Sequence, residues 1–92
     1  GRMKLSDLLG KEVVTSDGFK LGEVDDVLVD EGEWRVTDLV VSLTRQSARA
    51  VGLRKILGSV KVALPVGMTS GIGDVVTLSR SLEEVKPELR PV

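Results

Sequence analysis

The sequence predicts an all-β domain: a small, strongly bent antiparallel β-barrel with one short helix in an insert at 45–58. Three observations support this prediction. Valine and leucine dominate the apolar residues, and branched aliphatic side chains suit a pleated, half-buried surface. The ten glycines indicate many turns. In two long runs the alternation of apolar residues slips by one place, which bends a strand strongly.

Five short runs have the pattern of strands, and most are bounded by glycine-containing turns or by Pro65, which cannot donate to a β-ladder. These runs lie at 11–15, 21–29, 34–43, 60–64 and 75–78. The slip in the second run falls at Asp25-Asp26, and the slip in the third falls near Thr37-Asp38. We therefore expect a β-bulge in each of these two runs.

The insert at 45–58 predicts a short helix, because Ala50, Leu53 and Leu57 fall on one face and Gly58 is a natural stop. Three other segments are expected outside the strands: a capped helical turn at 6–10, a glycine-rich loop at 67–73 and a helical turn at 81–84.

The 92 residues have the length of one domain. We interpret residues 1–2 as a remnant of an expression tag, residues 3–85 as the domain and residues 86–92 as a flexible C-terminal tail with two prolines. An apolar run of 18 residues is absent from the sequence, as is a secretory signal. The expected location is therefore the cytoplasm.

The chain contains no cysteine and no histidine. This composition excludes disulfides, the usual zinc sites and the Ser-His-Asp and Cys-His catalytic sets. A domain of this size also leaves little room for an enclosed active site. We therefore expect no enzyme activity, no catalytic residues, no cofactor and no metal site.

Charge is strongly segregated along the chain. Residues 1–38 carry ten acidic and five basic residues, whereas residues 39–73 carry five basic residues and no acidic one. The candidates for a basic partner-binding surface are Arg45, Arg49, Arg54 and Lys55. Such a surface could face an acidic partner or be plain solvated surface. Direct nucleic-acid binding is not expected, because no aromatic residue lies among these arginines and lysines to stack on nucleobases.

Two further segments have weak resemblances to ligand sites. The acidic residues at 23–33 could hold a hard cation, but they lack the order of a calcium loop, and strand alternation turns their carboxylates to opposite faces. The glycine-rich segment at 67–74 lacks the Gly-Lys-Ser/Thr ending of a phosphate loop. We interpret the first as solvated charge and the second as a tight turn.

Doubled valines at 13–14, 40–41 and 75–76 place apolar side chains on both faces of their strands. One member of each pair must then point away from the barrel interior, where a second subunit or the 45–58 helix would cover it. The residues expected to form this dimer or partner surface are Val40, Val62, Val76 and Leu78.

Five segments together resemble the PRC-barrel domain family, and the resemblance covers about residues 5–85. The segments are 8–14 (LLGKEVV), 16–30 (SDGFKLGEVDDVLVD), 36–42 (VTDLVVS), 62–66 (VALPV) and 72–78 (IGDVVTL). The domain occurs in the photosynthetic reaction-centre H subunit and in the ribosome maturation factor RimM. Thr69 and Gly71 depart from the family pattern, which affects the geometry expected for the 66–73 loop.

The length, the insert at 45–58 and the closing segment at 81–85 resemble most closely the archaeal single-domain members. That resemblance implies a homodimer that acts as a cell-division adaptor and binds a SepF-type protein, the membrane anchor of the division ring. The alternative is a ribosome-assembly or RNA-processing module that resembles the C-terminal barrel of RimM and binds a ribosomal protein or rRNA. Fold alone does not decide between them.

Overall fold

The strands of this protein form one bent sheet, with short helices between some of them. The computed structural model describes residues 1–53 and 58–92. Within these residues the strands are β1 (Glu12–Val14), β2 (Lys20–Asp30), β3 (Arg35–Leu43), β4 (Lys61–Pro65), β5 (Thr69–Ile72), β6 (Val76–Leu78) and β7 (Arg90–Pro91). The α-helices are α1 (Leu5–Leu8), α2 (Arg45–Ala50) and α3 (Leu82–Val85), and 3-10 helices lie at Val66–Met68 and Lys86–Glu88.

In the described part of the chain the strand order is β5-β6-β1-β2-β3-β4-β7. Neighbouring strands are antiparallel except β1 and β6, which run parallel. The sheet surrounds one aliphatic core but does not close, because β5 and β7 remain as its two edges. The all-β prediction is confirmed as a barrel-like sheet, and the expectation of a purely antiparallel one is corrected by the β1–β6 pair.

Two β-bulges bend the long β2–β3 hairpin. On β2 the extra residue is Asp25, and on β3 it is Thr37, because the opposite strand advances by one residue fewer at each place. Both slips predicted from the sequence are therefore confirmed. A bulge increases the local twist of a strand pair, so this hairpin coils around the core instead of lying flat.

Gly22 lies where β2 is packed between β1 and β3, and it pairs with Val13 on one side and Leu43 on the other. A Cβ at this position would lie 2.0 Å from the carbonyl oxygen of Ser42, which is backbone and cannot move aside freely. The position therefore requires glycine because of the close approach of the two strands.

Helix α2 ends earlier than the sequence predicts. The Thr44 hydroxyl caps it by accepting a hydrogen bond from the backbone N–H of Ser47 at 3.0 Å. Just beyond the helix, Gly52 adopts a φ of +77°, so the chain leaves the helical path well before Gly58, the predicted stop.

The buried face of α2 also differs from the prediction. Ser47 and Ala48 face the interior, whereas Ala50 and Leu53 are only half-buried, and Leu57 lies outside the described residues. The Ser47 hydroxyl donates to the carbonyl oxygen of Leu21 and so joins the helix to β2. Ser47 was not among the residues predicted to face inward, and its hydroxyl can be buried because it has a hydrogen-bond partner inside the protein.

The predicted tail at 86–92 is corrected by the structure. The 3-10 helix at Lys86–Glu88 positions Leu89 so that its side chain is buried in the core. The following strand, β7, pairs with β4 and completes one edge of the sheet. The predicted loop at 67–73 is corrected in the same way, because most of it forms β5, which pairs with β6.

A set of hydrogen bonds joins the β1–β2 turn to α3. The Asp17 carboxylate accepts from the Thr15 hydroxyl at 2.5 Å and from the Leu82 backbone N–H at 3.3 Å. Ser81 and Glu84 form a capping box at the start of α3. The Thr15 hydrogen bond holds the pKa of Asp17 below its ordinary value of 3.8, and the Ser81 backbone N–H holds the pKa of Glu84 below 4.5.

Substitution of Gly22 by alanine tests the close approach of β2 and β3. We expect G22A to lower the free energy of unfolding by about 3 kcal/mol, the upper range for overpacking, because the new methyl group would overlap the Ser42 carbonyl. Urea denaturation measures this change. G67A is the matched control, since a Cβ there meets nothing within 4 Å, and it should unfold at nearly the wild-type urea concentration.

The lowered pKa values of Asp17 and Glu84 predict acid sensitivity. The unfolded chain binds protons at these carboxyls at higher pH than the folded chain, so their stabilisation is present above the ordinary values of 3.8 and 4.5 and is lost as pH falls through the folded values. We expect the melting temperature of D17N/E84Q to fall less steeply than that of the wild type from about pH 5 to about pH 3. E31Q should keep the wild-type slope; equal slopes for all three proteins would contradict the prediction.

Candidate interaction surfaces

The four residues expected to form a dimer or partner surface lie inside the protein. Val40, Val62, Val76 and Leu78 are only 4%, 0%, 0% and 1% exposed, so the prediction that they form an exposed surface is wrong. Val62, Val76 and Leu78 belong to the hydrophobic core.

Val40 is buried for a different reason from the other three. It lies on the outer face of β3, between Asp26 of β2 and Ala63 of β4. The ion pair between Lys61 Nζ and Asp25 Oδ2, 3.0 Å apart, joins the two strands that flank β3. Val40 is therefore buried although its side chain points away from the core cluster.

Exposed apolar side chains occur instead at the end of the β2–β3 hairpin. Strand β4 pairs with β3 no further than Asp38, and the β1 ladder reaches β2 no further than Glu23. Beyond these points, residues 28–37 form a two-stranded segment without a flanking strand among the described residues, which we call the hairpin ribbon. A two-stranded hairpin is only marginally stable by itself in water.

Four apolar residues of the hairpin ribbon are exposed to solvent. Leu28, Val29 and Val36 are between 39% and 44% exposed, and Trp34 is 85% exposed. Val29 pairs with Val36 across the two strands. By strand alternation from Val27, which packs against the core, this pair lies on the face that continues the core face of the sheet.

The turn of the ribbon holds Trp34 in an unusual backbone conformation. The Asp30 carboxylate accepts from the N–H groups of Gly32 and Glu33 at 2.8 and 3.2 Å, and the Asp30 carbonyl accepts from the Trp34 N–H at 2.7 Å. Trp34 has a φ of +54°, the one positive value at a non-glycine residue in the described part of the chain. For a bulky side chain this left-handed conformation costs roughly 1–2 kcal/mol.

The ribbon and the residues beside it are strongly acidic. Between positions 26 and 38 there are five acidic residues and one basic residue, a net charge of −4. The basic residue, Arg35, lies 3.8 Å from a Glu33 oxygen, and both side chains are mostly exposed, so this ion pair neutralises little of the surface charge. Among the described residues, no three acidic side chains converge on a position that could hold a metal ion.

A second apolar surface lies at the β5 edge of the sheet. Within the described residues β5 pairs with β6 alone, so its other side presents unpaired backbone groups. Ile72 at the end of β5 is 43% exposed, and nearby Val75 is 36% exposed. The Lys11 ammonium donates to the Gly73 carbonyl at 2.6 Å and holds this turn beside β1. We call β5 with Ile72 and Val75 the β5 edge surface.

The expected basic surface is placed only in part. Arg45 and Arg49 are exposed on α2, four residues apart and therefore on the same side of the helix. Arg54 and Lys55 lie outside the described residues. Lys61, which contributes to the basic charge of this segment, is paired with Asp25 as described above.

Sequence reasoning did not identify the hairpin ribbon as a site. One signal was present, because Trp34 follows the acidic turn at 31–33 at a position where turn chemistry favours glycine or asparagine. The exposure of Val29 and Val36 had no such signal, since it depends on where the neighbouring strands stop.

Comparisons with known proteins are consistent with this small β-rich architecture. In the described residues, no helix has both the length and the apolar character needed to cross a lipid bilayer. No curated protein matches the chain. The family model of the PRC-barrel domain matches residues 1–84, which include strands β1 to β6. A match over that much of the chain, together with the bent barrel-like sheet, means that the chain belongs to the PRC-barrel domain family.

Proposed function

We propose that this chain is a non-enzymatic, homodimeric adaptor that binds other proteins. The observation that carries the proposal is the pair of apolar surfaces outside the core, the hairpin ribbon and the β5 edge surface, which β6 and β1 separate in the sheet. Grouped exposed apolar residues mark interaction sites more often than isolated ones do. An adaptor needs two such surfaces, one for its own copy and one for its partner.

The β5 edge surface suits a second copy of the chain. Strand β5 contains no charged residue, so two copies can approach there without repulsion between their β5 side chains. Antiparallel pairing of two β5 strands would satisfy the free backbone N–H and C=O groups of both copies. The same contact would cover Ile72, and Val75 close to it. This arrangement replaces the buried valines as the proposed dimer interface.

The finer form of the proposal follows the resemblance to archaeal single-domain members. In that form the chain works in the cytoplasm as a cell-division adaptor, and its partner is a SepF-type membrane anchor. The insert at 45–58 and the closing segment at 81–85 support it. A second surface, distinct from the dimer interface, is what binding of such an anchor by a dimer would need.

A second candidate is a ribosome-assembly module that resembles the RimM barrel. The exposed Arg45 and Arg49 on one side of α2 favour it, because they stand in a segment of 35 residues, 39–73, that contains no acidic residue. Such a surface could contact rRNA phosphates or an acidic face of a ribosomal protein.

Sedimentation equilibrium at micromolar concentration tests the dimer. We expect the wild type to sediment as a dimer and I72K to sediment as a monomer with an unchanged far-ultraviolet circular-dichroism spectrum, because each copy would bring an ammonium group into the contact between the two β5 strands. V92K is the matched control: it adds the same charge at another exposed apolar residue and should remain a dimer. A wild type that stays monomeric would overturn the dimer.

Salt-dependent RNA binding tests the second candidate. If the adaptor proposal holds, the affinity for rRNA fragments is weak and is the same for the wild type and for R45E/R49E. A ribosomal role would instead give a log–log dependence on salt concentration that becomes shallower by about 2 in R45E/R49E, since two phosphate contacts would be lost. Affinity capture from native lysate, with mass spectrometry, then distinguishes a SepF-type anchor from ribosomal proteins.

A further inference from the structure

We propose that the hairpin ribbon binds a basic, apolar segment of a different protein, with Trp34 as the central contact and the surrounding carboxylates as the contacts for lysine or arginine. This inference rests on the proposed function and deepens it by giving the partner's chemistry. Three properties of the ribbon lead to it: its uncovered apolar face, its constrained tryptophan and its charge.

The apolar face of the ribbon is a continuation of the core face. Along β2 and β3 the inward-facing pairs proceed from Val27 with Leu39 to Val29 with Val36. The first pair packs in the barrel, but the second lies past the ends of β1 and β4 and stays exposed. A protein segment laid across Val29 and Val36 would cover them as the barrel covers Val27 and Leu39, which favours binding through removal of apolar surface from water.

The position of Trp34 does not stabilise the isolated chain. Its side chain is 85% exposed, so it contributes little packing, and its left-handed backbone conformation is unfavourable for a bulky residue. The hydrogen bonds that Asp30 accepts from Gly32 and Glu33 hold the turn in one shape, so the indole is presented from an ordered backbone. Backbone strain of this kind concentrates at binding sites, and tryptophan is enriched among residues that dominate interfaces.

The negative charge of the hairpin ribbon indicates the chemistry of its partner. With a net charge of −4 between positions 26 and 38, two ribbons facing each other would repel, so a second copy bound ribbon to ribbon is disfavoured. Phosphates of RNA or of anionic lipids would be repelled for the same reason. The carboxylates of Glu31 and Glu33 are exposed on both sides of Gly32, beside Trp34, where they can meet cationic side chains. The complementary occupant is a segment that carries lysine or arginine next to apolar residues.

Selection from a random peptide library displayed on phage tests this proposal with the folded full chain. We expect the enriched peptides to be basic and apolar and to shift the emission of Trp34, the one tryptophan of the chain, to shorter wavelength. W34G should weaken binding of these peptides by about 30-fold, the loss typical of a central interface tryptophan, while its melting temperature equals or exceeds that of the wild type. V92G is the matched control and should bind them as the wild type does.

Charge and self-association are tested with the same peptides. E31Q/E33Q should weaken binding and should reduce its dependence on salt concentration. The proposal is overturned if no peptide is enriched, if the enriched peptides bind W34G as tightly as the wild type, or if they are acidic. It is also overturned if the wild-type emission shifts with protein concentration alone, which would mean that a second copy covers Trp34. A wild type that dimerises yet fails these tests would sink the partner assignment and leave the dimer standing.

Discussion

The bend of the β2–β3 hairpin is the constraint on which the rest of this molecule depends. Gly22 allows the backbones of the two strands to approach more closely than any side chain at that position would permit. The bulge at Asp25 then resets the alternation, so that Val24 and Val27 both face the interior. Other strands add to this coiled pair: β1 and β6 on one side, and β4 and β7 on the other.

The same hairpin also explains why the hairpin ribbon continues the inward-facing alternation of the core residues. The second bulge, at Thr37, makes Val36 the partner of Val29 and keeps both on the inward face. The side chains on this face stay apolar along the whole hairpin. They become exposed at the hairpin ribbon because β1 and β4 end before it. The barrel therefore exposes a short apolar extension of its core face, on which another molecule can pack.

Much of the fold could be predicted from the sequence, because strand periodicity and turn residues are local properties. The slips at Asp25 and Thr37 could be read from the spacing of apolar residues. The burial of Val40 within the chain could not, because alternation places it on the outer face of β3, where the pattern gives no sign of cover. Leu89 was missed because the prolines around it indicated a loose tail, whereas its side chain fits a place in the core that only the assembled sheet provides.

The two edge strands of the sheet, β5 and β7, differ in their ability to pair with a further strand. The backbone N–H of Val92 donates to the Lys61 carbonyl of β4, so by alternation the nitrogen of Pro91 faces outward, and that nitrogen carries no hydrogen. The β7 edge is therefore a poor template for another strand, whereas the β5 edge is an open one. Strand addition at the β5 edge alone stops once two copies have paired. Fibrous polymers grow from sheets with two open edges, and the described residues of this chain provide one.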